Sequence, residues 1–211
     1  MLLLVISVII ILIVLVGILA FYWKSAYKFE DGVWGWVSYD EAVGKRVVKL
    51  AAVDNESFQC LSDKRYAKDK NQVFYLGGPI LGADPDTFQV LSRNGYAKDK
   101  QHVFLDRTKV VLAEPDTFCL LRFPYSKDAK RIFCGTIPLK LEAEEVNEFK
   151  VKQELWPKRS MKMMILLSVF IEQNPEYSWL DASGIESIIV GEGVFATTKN
   201  KVFNGYKELE K

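Results

Sequence analysis

Two acidic corners thirty residues apart, Asp84-Pro85-Asp86-Thr87 and Glu114-Pro115-Asp116-Thr117, carry carboxylates of the kind that bind divalent cations. Calcium asks for about six to eight oxygens, set on a loop with a glycine at its sharp turn. These corners lack that layout. The structural reading is turn capping: Asp or Glu accepts a free amide, and proline suits the next position. His102 is the only histidine, so a His-based metal cluster is excluded. Any Ser-His-Asp or Cys-His chemistry would have to run through this one residue. Thirty residues earlier its place is held by Gln72, which makes an exposed cross-strand hairpin residue the structural reading. Paired carboxylates for glycoside hydrolysis cannot be picked out, because nothing singles out a pair. The sequence contains no GxxxxGK[ST], GxGxxG, GxSxG or HExxH. "KRSMKMM" (158–164) is a small basic patch that reads as a solvated face, with anionic lipid as its functional alternative. No catalytic, cofactor-binding or metal-ligating residue is assigned, and no cofactor is expected.

The corners belong to something larger. "FQVLSRNGYAKDKQHVFLDRTKVVLAEPDT" (88–117) matches the thirty residues before it at 15 of 30 positions. Phe58, Phe88 and Phe118 are spaced by thirty, as are Tyr66 and Tyr96; Tyr125 falls one short. "AKDK" (67–70, 97–100) becomes "SKDA" (126–129), and "VFY" (73–75) becomes "VFL" (103–105) and "IFC" (132–134). "DPDT" is preceded by "DNES" (54–57). "FATTKNKVFNG" (195–205) repeats half a unit.

Each unit reads as short β-strands joined by tight turns. "FQVLS" is a strand candidate, and "YAK-DK-x-VF" reads as strand, turn, strand. Asp99 and Asn71 are residues that bond their own backbone or tolerate a left-handed conformation. "PILGA" or "KVVLA" supplies a further strand. One such unit cannot bury its own aromatics, so neighbours must stack or pair. Tyr66, Tyr96, Phe74 and Phe104 therefore have two readings: mutual core packing between repeats, or a row on a β surface that contacts a partner.

Around the repeats, 28 basic and 27 acidic residues leave a net charge of +1. With no basic run, nothing calls for nucleic acid. Residues 2–23 carry no charge, and 22 residues make a helix of about 33 Å, enough for a bilayer core. Tyr22, Trp23, Lys24 and Lys28 follow in the order of an interfacial belt. The segment lacks the basic n-region, short core and small-residue cleavage site of a signal peptide. It reads as an uncleaved single-pass anchor, and Lys24 and Lys28 lean the following domain toward the cytoplasm. "MMILLSVFI" (163–171) is too short to span and reads as a buried strand or helix. "LEAEEVNEFKVKQELW" (141–156) has helical composition, with Pro157 as its stop. Of the three cysteines, Cys60 aligns with Val90 and Leu120 and reads as a small buried hydrophobe. A Cys119–Cys134 bridge stays open.

The expected fold is mainly β: an antiparallel meander or stacked β-hairpin repeats with a small α-helical insert, preceded by one transmembrane helix. The bounds are an anchor at 2–23, a linker at 24–32 and a repeat domain at 33–206. Within it lie a Trp-rich atypical first copy, copies at about 58–87, 88–117 and 118–145, a partial copy at 195–206, and an insert at about 141–180.

"YAKDKNQVFYLGG" and "GADPDTFQVLS" resemble the repeat of the DKNYY family, a bacterial group defined by Tyr, Asp-Lys-Asn and paired aromatics at this spacing. The resemblance departs in places. Asp-Lys-Asn is intact only at Asp69-Lys70-Asn71, and the aromatic pair is Phe74-Tyr75, Phe104-Leu105 and Phe133-Cys134. It implies a Gram-negative bacterial origin and an envelope or surface protein, and it brings no catalytic residue. The expectation is a non-enzymatic, single-pass inner-membrane protein that binds or scaffolds an unknown protein or envelope polymer. The alternative is an envelope hydrolase or processing enzyme with a site built by the 141–180 insert.

Overall fold

The computed structural model describes residues 11–12, 25–40, 42–92, 94–152 and 160–210. The fold is mainly β and antiparallel, and divides into two compact units, residues 1–80 and 81–211. The expected anchor at 2–23 lies outside the described residues except Ile11 and Leu12. Among the described residues no helix is long and apolar enough to cross a membrane.

Four copies are each a four-stranded meander in sequential order. In the first, Gln59–Cys60, Tyr66–Lys68, Val73–Tyr75 and Gly78–Pro79 pair in turn. The strands of "FQC", "YAK" and "VFY" thus form where alternation and turn chemistry put them, and the turn after "VFY" has only two residues. Leu76 and Gly77 both have positive φ (49° and 82°), as a type I′ hairpin requires. The second copy repeats the strand order over Gln89–Lys109 and the third over Cys119–Pro138, with positive φ at the first turn residue, Asp106 (56°) and Gly135 (63°).

The Trp-rich copy that precedes these four begins earlier than expected. β1 (Ala26–Glu30) occupies the proposed linker and pairs with β2 (Val33–Asp40), which pairs with β3 (Gly44–Lys49). Leu50 N donates to Trp34 O at 2.9 Å, as Ile80 N does to Val73 O at 2.8 Å. Trp34-Gly35-Trp36 therefore stands where Val73-Phe74-Tyr75 stands, in a copy with no first strand.

The fourth copy is complete, which corrects the partial assignment. Its first strand is Lys150–Val151, inside the proposed insert, and it pairs with Phe195–Thr197 across more than forty residues of chain. Phe149-Lys150-Val151 is the fourth "FQV", and this is why the helix expected over 141–156 is confined to Ala143–Glu148. That helix starts at Glu142, whose amide is accepted by Glu145 in a capping box. Trp156 and Pro157 lie outside the described residues.

The true insert falls between the first and second strands of the fourth copy. It contains a hairpin of Met161–Leu166 with Ser187–Glu192, a helix Leu167–Gln173 and a 3-10 segment Pro175–Ser183. "MMILLSVFI" therefore splits into half a strand and a helix. Leu167 and Phe170 are buried, whereas Met164 and Leu166 are exposed.

Each unit has its own core. In residues 1–80 it joins Tyr27, Trp36, Leu50, Ala67 and Phe74, with Trp34 and Phe58 against them. In residues 81–211 one cluster centres on Tyr96, Phe118 and Phe133, and a larger one on Tyr125, Phe170 and Phe203.

All three cysteines are free; Cys60 and Cys119 are exposed and Cys134 is buried. Cys60 is not the buried hydrophobe its alignment suggested, because it sits on the outermost strand of its sheet. Burial pushes the Cys134 thiol up to about 12, while its Sγ lies 3.5 Å from Gly191 O. A thiol reagent at neutral pH should therefore modify two cysteines of the native protein and the third only after unfolding. Mass spectrometry of the labelled chain reads this directly, and prompt native labelling of Cys134 would contradict the placement.

Candidate functional site

The most conspicuous titratable residue of the repeat, the Asp of "AKDK", is buried in all three copies that carry it. Asp69, Asp99 and Asp128 are each 3% exposed. Oδ1 of Asp99 accepts the amides of Gln101 and His102 at 2.7 and 2.6 Å, and Oδ2 accepts the amide of Asp84 at 2.9 Å. Asp69 does the same with Asn71, Gln72 and Asp54, and Asp128 with Lys130, Arg131 and Glu114. One carboxylate thus closes its own hairpin turn and ties that turn to the acidic corner fourteen or fifteen residues back. Both carboxylate oxygens are engaged by backbone amides, and burial keeps them off the surface.

The acidic corner is closed with equal economy. Asp84 Oδ1 accepts the Asp86 amide at 3.1 Å, while Oδ2 accepts the Thr87 hydroxyl and faces Lys100 Nζ, each at 2.9 Å. Thr87 Oγ1 in turn accepts the Lys100 amide at 3.1 Å. Asp54, Ser57 and Lys70 repeat the arrangement. In the third copy Ala129 displaces the lysine by one position. Lys130 with the longer Glu114 restores the ion pair at 2.6 Å. These are capped turns, as expected. Among the described residues no group of three or more His, Cys, Asp or Glu could hold a metal ion.

Lys70, then the Ser57 hydroxyl and amide, hold the Asp54 carboxyl down at about 2; Lys100 and Thr87 lower Asp84 in the same sense. A carboxyl lowered by folding stabilises the native state above its unfolded value, near 4, and loses that contribution as pH falls through the folded value. Denaturant midpoints should therefore hold to about pH 5 and fall between about pH 4 and 2. Because both pairs are solvent-facing, added salt should shrink the effect. Asp54→Asn should flatten part of this acid limb; an unchanged limb would contradict the assignment.

Tyr66, Tyr96, Phe74 and Phe104 are between 0 and 1% exposed, so they form no row on a surface. This corrects the partner-contact reading: the side chains lie within the packing. Each tyrosine whose partners are resolved reaches from its own copy into the next. Tyr96 OH lies 3.3 Å from both Pro124 O and Gly135 O. Tyr125 OH lies 3.0 Å from both Val194 O and Gly205 O. Tyr27 OH meets Arg65 O and the Gly77 amide, each at 3.1 Å. The first partner recurs as an acceptor, the carbonyl before the next copy's Tyr or Phe; the second lies in its two-residue turn, where Gly135 O and Gly205 O accept and the Gly77 amide donates to Tyr27. The glycines are required there. Gly135 has φ +63°, and a Cβ on it would collide with the Ile189 carbonyl.

The rings follow the same relay. Tyr27 meets Phe58, which meets Phe74, at centroid separations of 5.6 and 6.3 Å. Tyr96, Phe118 and Phe133 follow at 5.8 and 6.0 Å, and Tyr125, Phe149 and Phe203 at 5.2 and 6.0 Å. The fourth copy breaks the rule once: Phe195 stands at the tyrosine position and has no hydroxyl to extend.

His102 is half-buried rather than an exposed strand residue, since it is the last residue of the turn. Gln72, Arg131 and Lys201 at its position donate to the corner carbonyls of Ala52, Leu112 and Lys140 at 3.0, 3.2 and 3.1 Å. His102 instead has Nε2 3.2 Å from Lys109 Nζ and Nδ1 3.6 Å from Asp99 Oδ1.

Sequence reasoning missed Lys162, on the insert hairpin. Its ammonium bonds both carboxylate oxygens of Asp106 at 3.1 and 2.9 Å and Asn94 O at 2.8 Å, and sits 5.6 Å from the Phe123 ring centre. The insert strand Ser187–Glu192 also crosses the third copy's turn, with Ile189 O accepting the Thr136 amide at 2.7 Å. The insert is thus a strap over the second and third copies; the "KRSMKMM" patch gave only its charge.

Tyr, Asp-Lys and paired aromatics are the parts that build each copy and link it to the next, and they define one family. The DKNYY family profile matches residues 14–108 and again 79–211, nearly the whole chain. The chain belongs to the DKNYY family. No curated protein and no solved structure matches it. In DKNYY terms, the Asp of the motif is the turn hub, the first aromatic of the pair is the core ring, and the Tyr is the inter-copy clasp. In the third copy the second aromatic is Cys134, also buried.

Proposed function

We propose that this DKNYY-family chain is a non-enzymatic protein, anchored in the bacterial inner membrane by residues 2–23. Its β-repeats present a binding surface to a protein or polymer of the cell envelope. The observation that carries the reading is the use already made of the repeated residues. Tyr, Asp, Phe, the acidic corner and its lysine are engaged inside and between copies, so discrimination of a partner falls to positions that differ. Lys64 and Arg107 are such positions, both exposed on turns. The uncharged run of 22 residues supports the anchor.

A reporter fused after Lys211 tests the side of the membrane. The envelope reading requires activity on the outer side, and activity confined to the cytoplasm would remove envelope polymer from the candidate partners. A photo-crosslinking residue at position 64 or 107 tests binding in cells. The reading expects a discrete adduct from at least one exposed, non-repeating position; adducts at none of them would sink it.

A further inference from the structure

The register of the first sheet places one hairpin tip beside the point where the chain enters the fold. β1 begins at Ala26, which pairs with Val37, and Val37 pairs with Val47. β2 and β3 continue past that row through Ser38↔Arg46, Tyr39↔Lys45 and Asp40↔Gly44. β2 is antiparallel to β1, so these three rows extend toward the side from which residue 25 arrives. Three rows at about 3.4 Å each give an overhang of about 10 Å.

Only Lys24 and Ser25 separate the uncharged run from β1. Three Cα steps link Ala26 to Trp23, with a reach of at most about 11 Å. If residues 2–23 span the bilayer, an overhang of about 10 Å against a reach of at most about 11 Å lets the tip come level with the interfacial end of the span.

The tip has the composition for that place. Val43, at its apex, is 69% exposed. Asp40 Oδ1 accepts the amides of Ala42 and Val43 at 2.9 and 3.2 Å, which fixes the turn and occupies the carboxylate with backbone. Tyr39 follows on β2, with Lys45 and Arg46 opposite on β3. An apolar apex followed by an aromatic and two cations is the order met on moving from acyl chains into headgroups. Lys45 is paired with Glu30 at 2.6 Å, and Glu41 follows Asp40 in the sequence. The local charge is therefore nearly balanced, and the contact does not depend on anionic lipid.

We propose that the β2–β3 tip, with Val43 as its apex, is a second membrane contact that seats in the bilayer interface beside the anchor. The inference rests on the anchored reading above. It gives the Trp-rich copy a fixed orientation on the lipid surface that a single span alone would leave free.

The test uses the full chain reconstituted into vesicles of phosphatidylethanolamine and phosphatidylglycerol, with Cys60 and Cys119 changed to serine. An environment-sensitive fluorophore is attached at Val43→Cys or, as a second tip variant, Ala42→Cys. Ala51→Cys, exposed beyond the far end of β3, is the comparison. The expected result is a blue-shifted tip signal that loses intensity to a lipid-borne quencher and resists aqueous iodide, with the opposite at position 51. Equal iodide quenching at tip and comparison, with no lipid quenching at either tip position, overturns the proposal. Flotation separates the two readings: a chain that fails to float with vesicles defeats the anchor, and one that floats with a water-exposed tip defeats only the second contact.

Discussion

Phe88→Ala is expected to lower stability by about 3–5 kcal/mol in a denaturant titration. Phe88 is 5% exposed and lies 5.9 Å, centroid to centroid, from Phe104, which is itself fully buried. The ring is one of four at equivalent positions, Phe58, Phe88, Phe118 and Phe149. At each resolved position it packs on the central aromatic of its own hairpin. Removing it leaves a cavity that short strands on tight turns cannot collapse, so the cost should sit at the upper part of the usual range. A loss below about 1 kcal/mol would show that the periodic Phe is not core and would restore it as a ligand contact.

Asp99→Ala should cost as much, about 3–5 kcal/mol, by a different mechanism. It removes the acceptor from three amides at once, those of Gln101, His102 and Asp84. The informative partner is Asp99→Asn, which is nearly the same size. Asn keeps one acceptor oxygen, so either the hairpin turn or the Asp84 amide must face an NH2 group, donor against donor. Asn should therefore fail to rescue. A native-like Asp99→Asn protein would mean that the carboxylate's second oxygen is not structural, and would reopen the motif as a site for chemistry. Thr198, the residue at this position in the fourth copy, accepts the amides of Asn200 and Lys201 at 3.3 and 3.1 Å. One oxygen can thus close the hairpin, but Thr198 makes no bond to a corner amide.

The thirty-residue period, the strand-turn-strand core of each copy and the capped corners were legible because they are local. A two-residue hairpin and an Asx turn are written within a few adjacent residues. The fourth copy was obscured because its first strand is separated from its second by the whole insert. "FKV" at 149–151 carried the signal, but the period that would flag it is interrupted. The tyrosines kept two readings, core packing and a surface row, for a related reason. Nothing in "YAK" says that the hydroxyl ends on backbone carbonyls of the following copy, some thirty to eighty residues away. Lys162 was illegible altogether, since its partners Asp106 and Asn94 are brought to it only by the path of the strap.

The phenylalanine at position 195 gives the relay a direction. Tyr96 and Tyr125 each bond to the copy that follows. Delete the fourth copy and the Tyr125 hydroxyl loses Val194 O and Gly205 O, becoming a phenol without an acceptor. The fourth copy, having no hydroxyl at this position, makes no such demand on anything downstream. Errors in this half of the molecule should therefore propagate toward the N-terminus, as slack does along a rope released at its moored end.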